Sequence, residues 1–293
     1  MNTRVFKITA KTNLHVGNES DNDFTIIDKT IQRDSLTSLP CINSSSLKGA
    51  IKEYCYHLKK QKTISIDMMG IFGSDIDENG KTSNSNQKGS AIFFDAKLLY
   101  IPQQDNDNYY HYVTSDKVIS MMNERIKLFV PNFSYKSEKE INKHSVTCLE
   151  KDEDLISCCN NENLPIIARN VLENGESKNL WYEQVLPSET ILYTIIVEEG
   201  DDLMNALNGK IVQIGADATI GYGYCLFELL YPITSSSDIN NNTSYTTSSN
   251  SEEPKTNNIN PKGTTSSKNS NFYQNQQQQH SNNKSKNKKK GRR

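Results

Sequence analysis

From Ser235 to the C-terminus the chain offers only Ile239, Tyr245, Ile259, Phe272 and Tyr273 as sizeable apolar groups, set among Ser, Asn, Thr, Gln and Lys. So little apolar surface cannot offset the entropy lost on ordering, and residues 235–293 are expected to form a disordered polar tail with a basic end. The fold must therefore be made by residues 1–234. A chain of that size hides roughly 70 % or more of its unfolded surface. One elaborated domain is the expectation.

Charge divides at the same point. Of 33 Lys and Arg and 35 Asp and Glu, ten and three lie in the tail, leaving 23 against 32 in the remainder. An acidic body argues against a general nucleic-acid binder and restricts any RNA contact to a local groove. The last ten residues, Lys284–Arg293, carry seven cations. They read equally as a salt-sensitive attraction to RNA or as solvated charge. Six cysteines show no Cys-x-x-Cys pair and no His at zinc-finger spacing, which points to reduced thiols of a cytoplasmic protein. No apolar run approaches 18 residues, so no membrane span is expected, and Met-Asn-Thr-Arg leads into a strand pattern rather than a secretory leader.

Hydrophobic periodicity orders the rest. Phe6, Ile8, Ala10, Thr12, Leu14 and Val16 alternate with polar neighbours, predicting a first strand with one buried face that ends near His15. Leu47, Ala50, Ile51, Tyr54, Cys55 and Leu58 recur at helical steps over about 46–60, with Ser44, Ser45 and Ser46 as N-cap oxygens. Residues 91–100 read as a second strand closed by Pro102, 190–197 as a buried strand, Leu203, Met204 and Leu207 as a short helix, and 211–214 and 224–230 as closing strands. Between 103 and 180 no clean period is evident. Strand, helix, strand, then strand, helix, strand suits an α+β ferredoxin-like sheet with insertions at about 17–43, 74–89 and 103–180, the middle one expected to be mobile.

Two stretches carry candidate chemistry. Asp28 and the Gln32-Arg33 pair precede the turn Ser44-Ser45-Ser46-Leu-Lys48-Gly49, where hydroxyls, helix N–H groups and an ammonium converge. Such a helix start favours anions, although ordinary capping with a solvated lysine has the same appearance. Gly215, Gly221 and Gly223 lie between two strands and permit positive φ or close approach of a phosphate. A structural turn is the alternative there.

Taken in order, Leu14-His-Val-Gly17, Ile27-Asp-Lys-Thr-Ile-Gln-Arg33, Leu39-Pro40, Ser45-Ser-Leu-Lys-Gly-Ala50, Ile71-Phe-Gly73, Gly89-Ser-Ala-Ile-Phe-Phe-Asp-Ala96, Tyr182-Glu183 with Leu186-Pro187, and Gly215 to Gly223 resemble the RAMP proteins of type III CRISPR effector complexes. The likeness is strongest to the backbone subunit of type III-B (Cmr) complexes. It implies a modified RNA-recognition-motif palm with a thumb hairpin somewhere between about 140 and 180. It also implies polymerisation with further copies and other Cmr subunits along a guide RNA (crRNA), and cutting of complementary target RNA once per subunit. A non-cleaving guide-binding relative, the equivalent type III-A ribonuclease and a stand-alone metal-dependent ribonuclease are the rivals. By the resemblance Asp28 carries the cut, with His15 and Glu183 beside it, and Arg33, Ser44, Ser45, Ser46, Lys48, Gly49 and the three loop glycines contact RNA. An aspartate's ordinary pKa, about 4, makes it a weak base at neutral pH. Asp28 is therefore expected to position the RNA or to hold a divalent ion, Mg or Mn.

Overall fold

The computed structural model describes residues 1–18, 27–74 and 87–232. The expected polar tail and the body of the 74–89 connection lie outside the described residues. In chain order the elements are β1 (Asn2–Ala10), β2 (Cys41–Ile42), α1 (Ser44–Lys60), α2 (Met68–Phe72), β3 (Ile92–Phe93), β4 (Ala96–Asp105), β5 (Tyr109–Ser115), α3 (Asp116–Lys127), β6 (Glu140–Ile141), β7 (His144–Leu149), α4 (Asp152–Cys158), β8 (Ile166–Glu173), β9 (Glu176–Gln184), β10 (Ile191–Glu198), α5 (Asp202–Leu207), β11 (Lys210–Gln213) and β12 (Tyr224–Pro232).

Four strands make the palm, in the antiparallel order β12-β1-β10-β4. With α1 between β1 and β4 in sequence and α5 between β10 and β12, this is the ferredoxin-like arrangement that the alternating pattern predicts. β11 widens the sheet beside β12, while β5, β7 and β6 extend the opposite edge, β5 and β7 being parallel. α1 buries Leu47, Ile51 and Cys55, and α5 buries Leu203, Ala206 and Leu207. Each large apolar side chain so removed from water contributes about 1.5–3 kcal/mol.

The first strand differs from its expected form. β1 ends at Ala10 rather than near His15, it is buried on both faces, and β12 and β10 flank it in the middle of the sheet. Arg4 is drawn into this interior, where Glu198 and Asp201 compensate its charge. Apolar alternation continues through Leu14 and Val16, but their backbone takes new partners: Leu14 bridges Leu186, and Asn13 accepts from the Gly223 amide. That change of partner bends the chain at the candidate site.

The strand over 91–100 is really two. β3 is a short pairing with β10, and β4 runs from Ala96 through Pro102 to Asp105. Beyond Tyr100 β4 has β5 as its one neighbour, so alternate N–H groups need no ladder partner and Pro102 is tolerated opposite Tyr112.

Residues 103–180 are also more regular than their sequence suggests. α3 is capped by Ser115, whose hydroxyl accepts from the Val118 amide, and it buries Val118, Ile119, Met122 and Ile126 at helical spacing. β8 and β9 form a separate two-stranded hairpin, largely exposed. Its turn is Asn174-Gly175 with φ of 53° and 85°, the positive pair that a type I′ turn requires.

Candidate nucleic-acid site at the hairpin base

Asp28 is exposed, and the main chain fixes its position. Its amide donates to the Tyr182 carbonyl (3.0 Å), as does that of Lys29 (3.1 Å), while the Tyr182 amide donates to Asp28 Oδ2 (2.7 Å). The Gln184 amide closes the pairing on the Lys29 carbonyl (2.9 Å). β9 offers this free edge because its hairpin has only two strands, and the carboxylate serves as a surrogate carbonyl on it. Among the described residues no hydrogen bond engages Oδ1, which leaves one charged oxygen available. Lys29 places its ammonium 5.2 Å above the Trp181 ring beside it.

His15 and Glu183 lie behind Asp28 as a buried pair rather than as exposed reacting groups. Both are within 3 % of full burial. His15 Nδ1 is 2.7 Å from the Gln184 carbonyl, and Nε2 is 3.2 Å from Glu183 Oε1. Oε2 of Glu183 accepts from Arg169 Nε at 3.1 Å, and the Arg169 head also reaches Asp217 Oδ2 at 3.2 Å and lies 4.6 Å over the Tyr222 ring. Both oxygens of Glu183 are thus occupied. The resemblance singled out His15 and Glu183 but not Arg169, Asp217 or Tyr222, because pairs far apart in sequence leave no local signature.

The glycine loop is largely a packing device. A Cβ on Gly215 (φ 82°) would lie 2.1 Å from the His15 carbonyl oxygen, and one on Gly223 (φ 77°) 2.0 Å from that of Ile214. These two glycines let the loop lie against the chain itself. Gly221 (φ 85°) faces open space and only terminates the 3₁₀ turn Ala218–Ile220.

The helix start divides into two faces. The expected Ser caps are absent: Asn43 occupies the cap position without a side-chain bond to the helix amides, and the Ser44 amide donates instead to Asp95 Oδ1 (2.8 Å). Gln32 takes Ser46 Oγ and the Gly17 carbonyl through Nε2 and receives the Asn43 amide on Oε1, tying the segment after Asp28 to α1. An open cavity of about 410 Å³ is lined by Gly17, Gln32, Ser46, Gly49, Gln213 and Gly215, and a second of about 680 Å³ by Ser44, Ser45, Lys48 and Lys88. Gly49 is exposed with nothing near its Cβ position, so internal packing does not explain a glycine that costs about 0.5–1 kcal/mol relative to alanine in a helix. Arg33 is apart from both cavities in its bonding, donating to the Ser38 carbonyl (3.0 Å) and Asn161 Oδ1 (3.1 Å), and burial lowers its pKa.

Asp34 anchors the turn that follows. Its Oδ1 accepts from the Leu36 and Thr37 amides, and Oδ2 from Lys97. Burial opposes its charge, but the bonds from Lys97 and Thr37 prevail and hold its pKa down to about 2. The folded value lies below the unfolded one near 4, so the stabilisation is complete above about pH 5 and disappears as pH falls through about 2. The thermal midpoint of Asp34→Asn is therefore expected to lie below that of the wild type at pH 6 and to converge on it toward pH 2, measured by circular dichroism.

Burial raises the thiols, Cys55 and Cys225 to about 12, which makes them inert. No described helix is long and apolar enough to cross a membrane. Among the described residues no three His, Cys, Asp or Glu converge as metal ligands. One carboxylate oxygen fits a largely hydrated hard cation better than a closed protein cage.

The chain is 25 % identical over 268 residues to the CRISPR system Cmr endoribonuclease Cmr4 of Pyrococcus furiosus, covering 70 % of this chain and 88 % of that protein. Its fold resembles a subunit of the type III-B Cmr-beta complex bound to cognate target RNA (TM-score 0.58, 21 % identity, 77 % of this chain and 96 % of that one). It also resembles oligomeric Cmr4 from Pyrococcus furiosus (TM-score 0.56, 19 % identity, 80 % and 100 %). The RAMP superfamily model matches residues 7–226, well over half of the sequence, and the chain belongs to that superfamily.

Proposed function

We propose that the protein is the guide-RNA-binding backbone subunit of a type III-B CRISPR effector complex. It polymerises along the guide with further copies and other Cmr subunits, and it cuts complementary target RNA at regular intervals in the cytoplasm. One observation carries the reading: an exposed carboxylate, Asp28, is held by main-chain bonds at the base of a projecting hairpin, on the segment that leads into an open cavity beside the α1 start. Membership of the RAMP superfamily and the likeness to Cmr4 support it.

RNA carries its own nucleophile. The 2′-oxygen attacks the adjacent phosphorus and loses its proton, the bond to the 5′-oxygen breaks, and the products are a 2′,3′-cyclic phosphate and a 5′-oxygen that takes up a proton from water. The hairpin would interrupt the guide–target duplex and splay the target backbone toward in-line geometry, the source of much of the acceleration. Gly49 and the Ser46 hydroxyl, held in place by Gln32, would accept the sugar–phosphate chain, with Lys48 and Lys88 supplying charge nearby. Asp28 Oδ1 would orient the reacting ribose or take its proton. A divalent ion, if bound, would be held by Asp28 together with RNA oxygens and water, and would neutralise charge on the phosphate.

Incubating the reconstituted complex with labelled target RNA, with and without a complementary guide, tests this reading. Periodic products only with guide are expected. Cutting of arbitrary RNA by the protein alone would replace it with a stand-alone ribonuclease, and one copy per complex with no periodic products would indicate a non-cleaving subunit.

A further inference from the structure

Among the described residues the hairpin shares no ladder with the palm sheet, so its angle depends on the contacts at its base. Arg169, on β8, makes the most specific of them. Its Nε serves Glu183 on β9, and its Nη2 serves Asp217 in the glycine loop, with the Tyr222 ring of that loop against the guanidinium. The loop is fastened to His15, since the Ala216 amide donates to the His15 carbonyl at 2.9 Å, and Glu183 is fastened to the His15 ring. The contacts close a ring through His15, Glu183, Arg169, Asp217 and the loop backbone. Asp217 is kept at φ 63° within it, a left-handed conformation sustained by its surroundings.

Glu183 directly follows Tyr182, the residue whose amide and carbonyl hold Asp28. We propose that Arg169, braced by Asp217 and Tyr222, is a positioning residue for the RNA cut, setting the hairpin base against the palm and thereby where the Asp28 carboxylate stands. This rests on the reading of Asp28 as the reacting acid. Stability alone is a poor reason for the arrangement, because desolvation cancels most of the gain from burying an ion pair. Geometry is a better one: a planar fork spans two carboxylates at fixed angles, which a lysine cannot do.

The test uses the reconstituted complex with guide and full-length target, measuring the single-turnover cutting rate and target affinity separately. Arg169→Ala is expected to cut about 10- to 100-fold more slowly, as a shift on the order of 1 Å in a reacting group allows, with target affinity within about twofold of wild type. Arg169→Lys should recover part of the rate, and Asp217→Asn should lower it in the same way. The double variant should be no slower than Arg169→Ala, because the two residues act through one ring. If Arg169→Ala fails to assemble, Arg169→Lys and Asp217→Asn carry the same comparison. Rate and affinity falling together in every variant would make the ring a mere strut and overturn the proposal. Wild-type cutting by Arg169→Ala beside an inactive Asp28→Asn would overturn it while leaving the reading of Asp28 intact. Normal cutting by Asp28→Asn would remove that reading, and the positioning role with it.

Discussion

Asp28→Asn is expected to lower target cutting by about 100- to 10,000-fold, the range over which a well-placed proton-handling group acts. Assembly along the guide and target affinity should stay unchanged. The substitution isolates the charge, because an asparagine carbonyl oxygen can still accept the Tyr182 amide that Asp28 Oδ2 accepts at 2.7 Å. Backbone pairing of residues 28 and 29 with Tyr182 does not involve the side chain at all. Asp28→Ala loses both the charge and the tether and should be no more active. Denaturing gels of end-labelled target, read beside filter-binding isotherms, separate rate from affinity. Undiminished periodic products from the asparagine variant would refute the assignment.

Gly215→Val should have the largest effect on stability, about 3 kcal/mol or more, read as a lower urea midpoint. Two independent costs add: a β-branched residue at φ 82°, and a Cβ that would lie 2.1 Å from the His15 carbonyl oxygen. Relief requires lifting the loop off His15 and breaking the bond from the Ala216 amide. Gly221→Ala shares the positive φ but meets no neighbour, so its cost should be only about 1 kcal/mol. The difference between the two variants combines the close approach with the extra cost of a β-branched side chain at positive φ. Both variants should leave α1 itself in place, while Gly215→Val, at the lining of the cavity beside it, should reshape that cavity.

The two positions also indicate how far the sequence could be read. That the loop between β11 and β12 needs positive φ was legible from three glycines in nine residues. Which glycine answers to a neighbouring carbonyl and which to solvent depends on His15, some two hundred positions away, and was not. α3 carried its signature in full, with Ser115 as cap and Val118, Ile119, Met122 and Ile126 on one face, yet the polar runs on either side obscured it. The Asn174-Gly175 turn was likewise a sufficient sign of the hairpin, between strands whose exposed faces lack clean alternation. The serine run that opens α1 misled, because those residues are already helical and the Ser44 amide is satisfied by Asp95, an acid from the far side of a connection.

Local order in the sequence sufficed for the ferredoxin-like plan: periods of two and of three to four residues report burial along a single element, and their succession admits few topologies. It also marked Asp28 through the ordered motifs around it. Tertiary structure alone decided that Asp28 hangs outward from β9, that His15 and Glu183 are interior, and that Arg169 joins them to the glycine loop. The reason is physical. A side chain's chemistry is set by what surrounds it, and here each decisive neighbour comes from a distant segment that only the folded sheet brings within hydrogen-bond range.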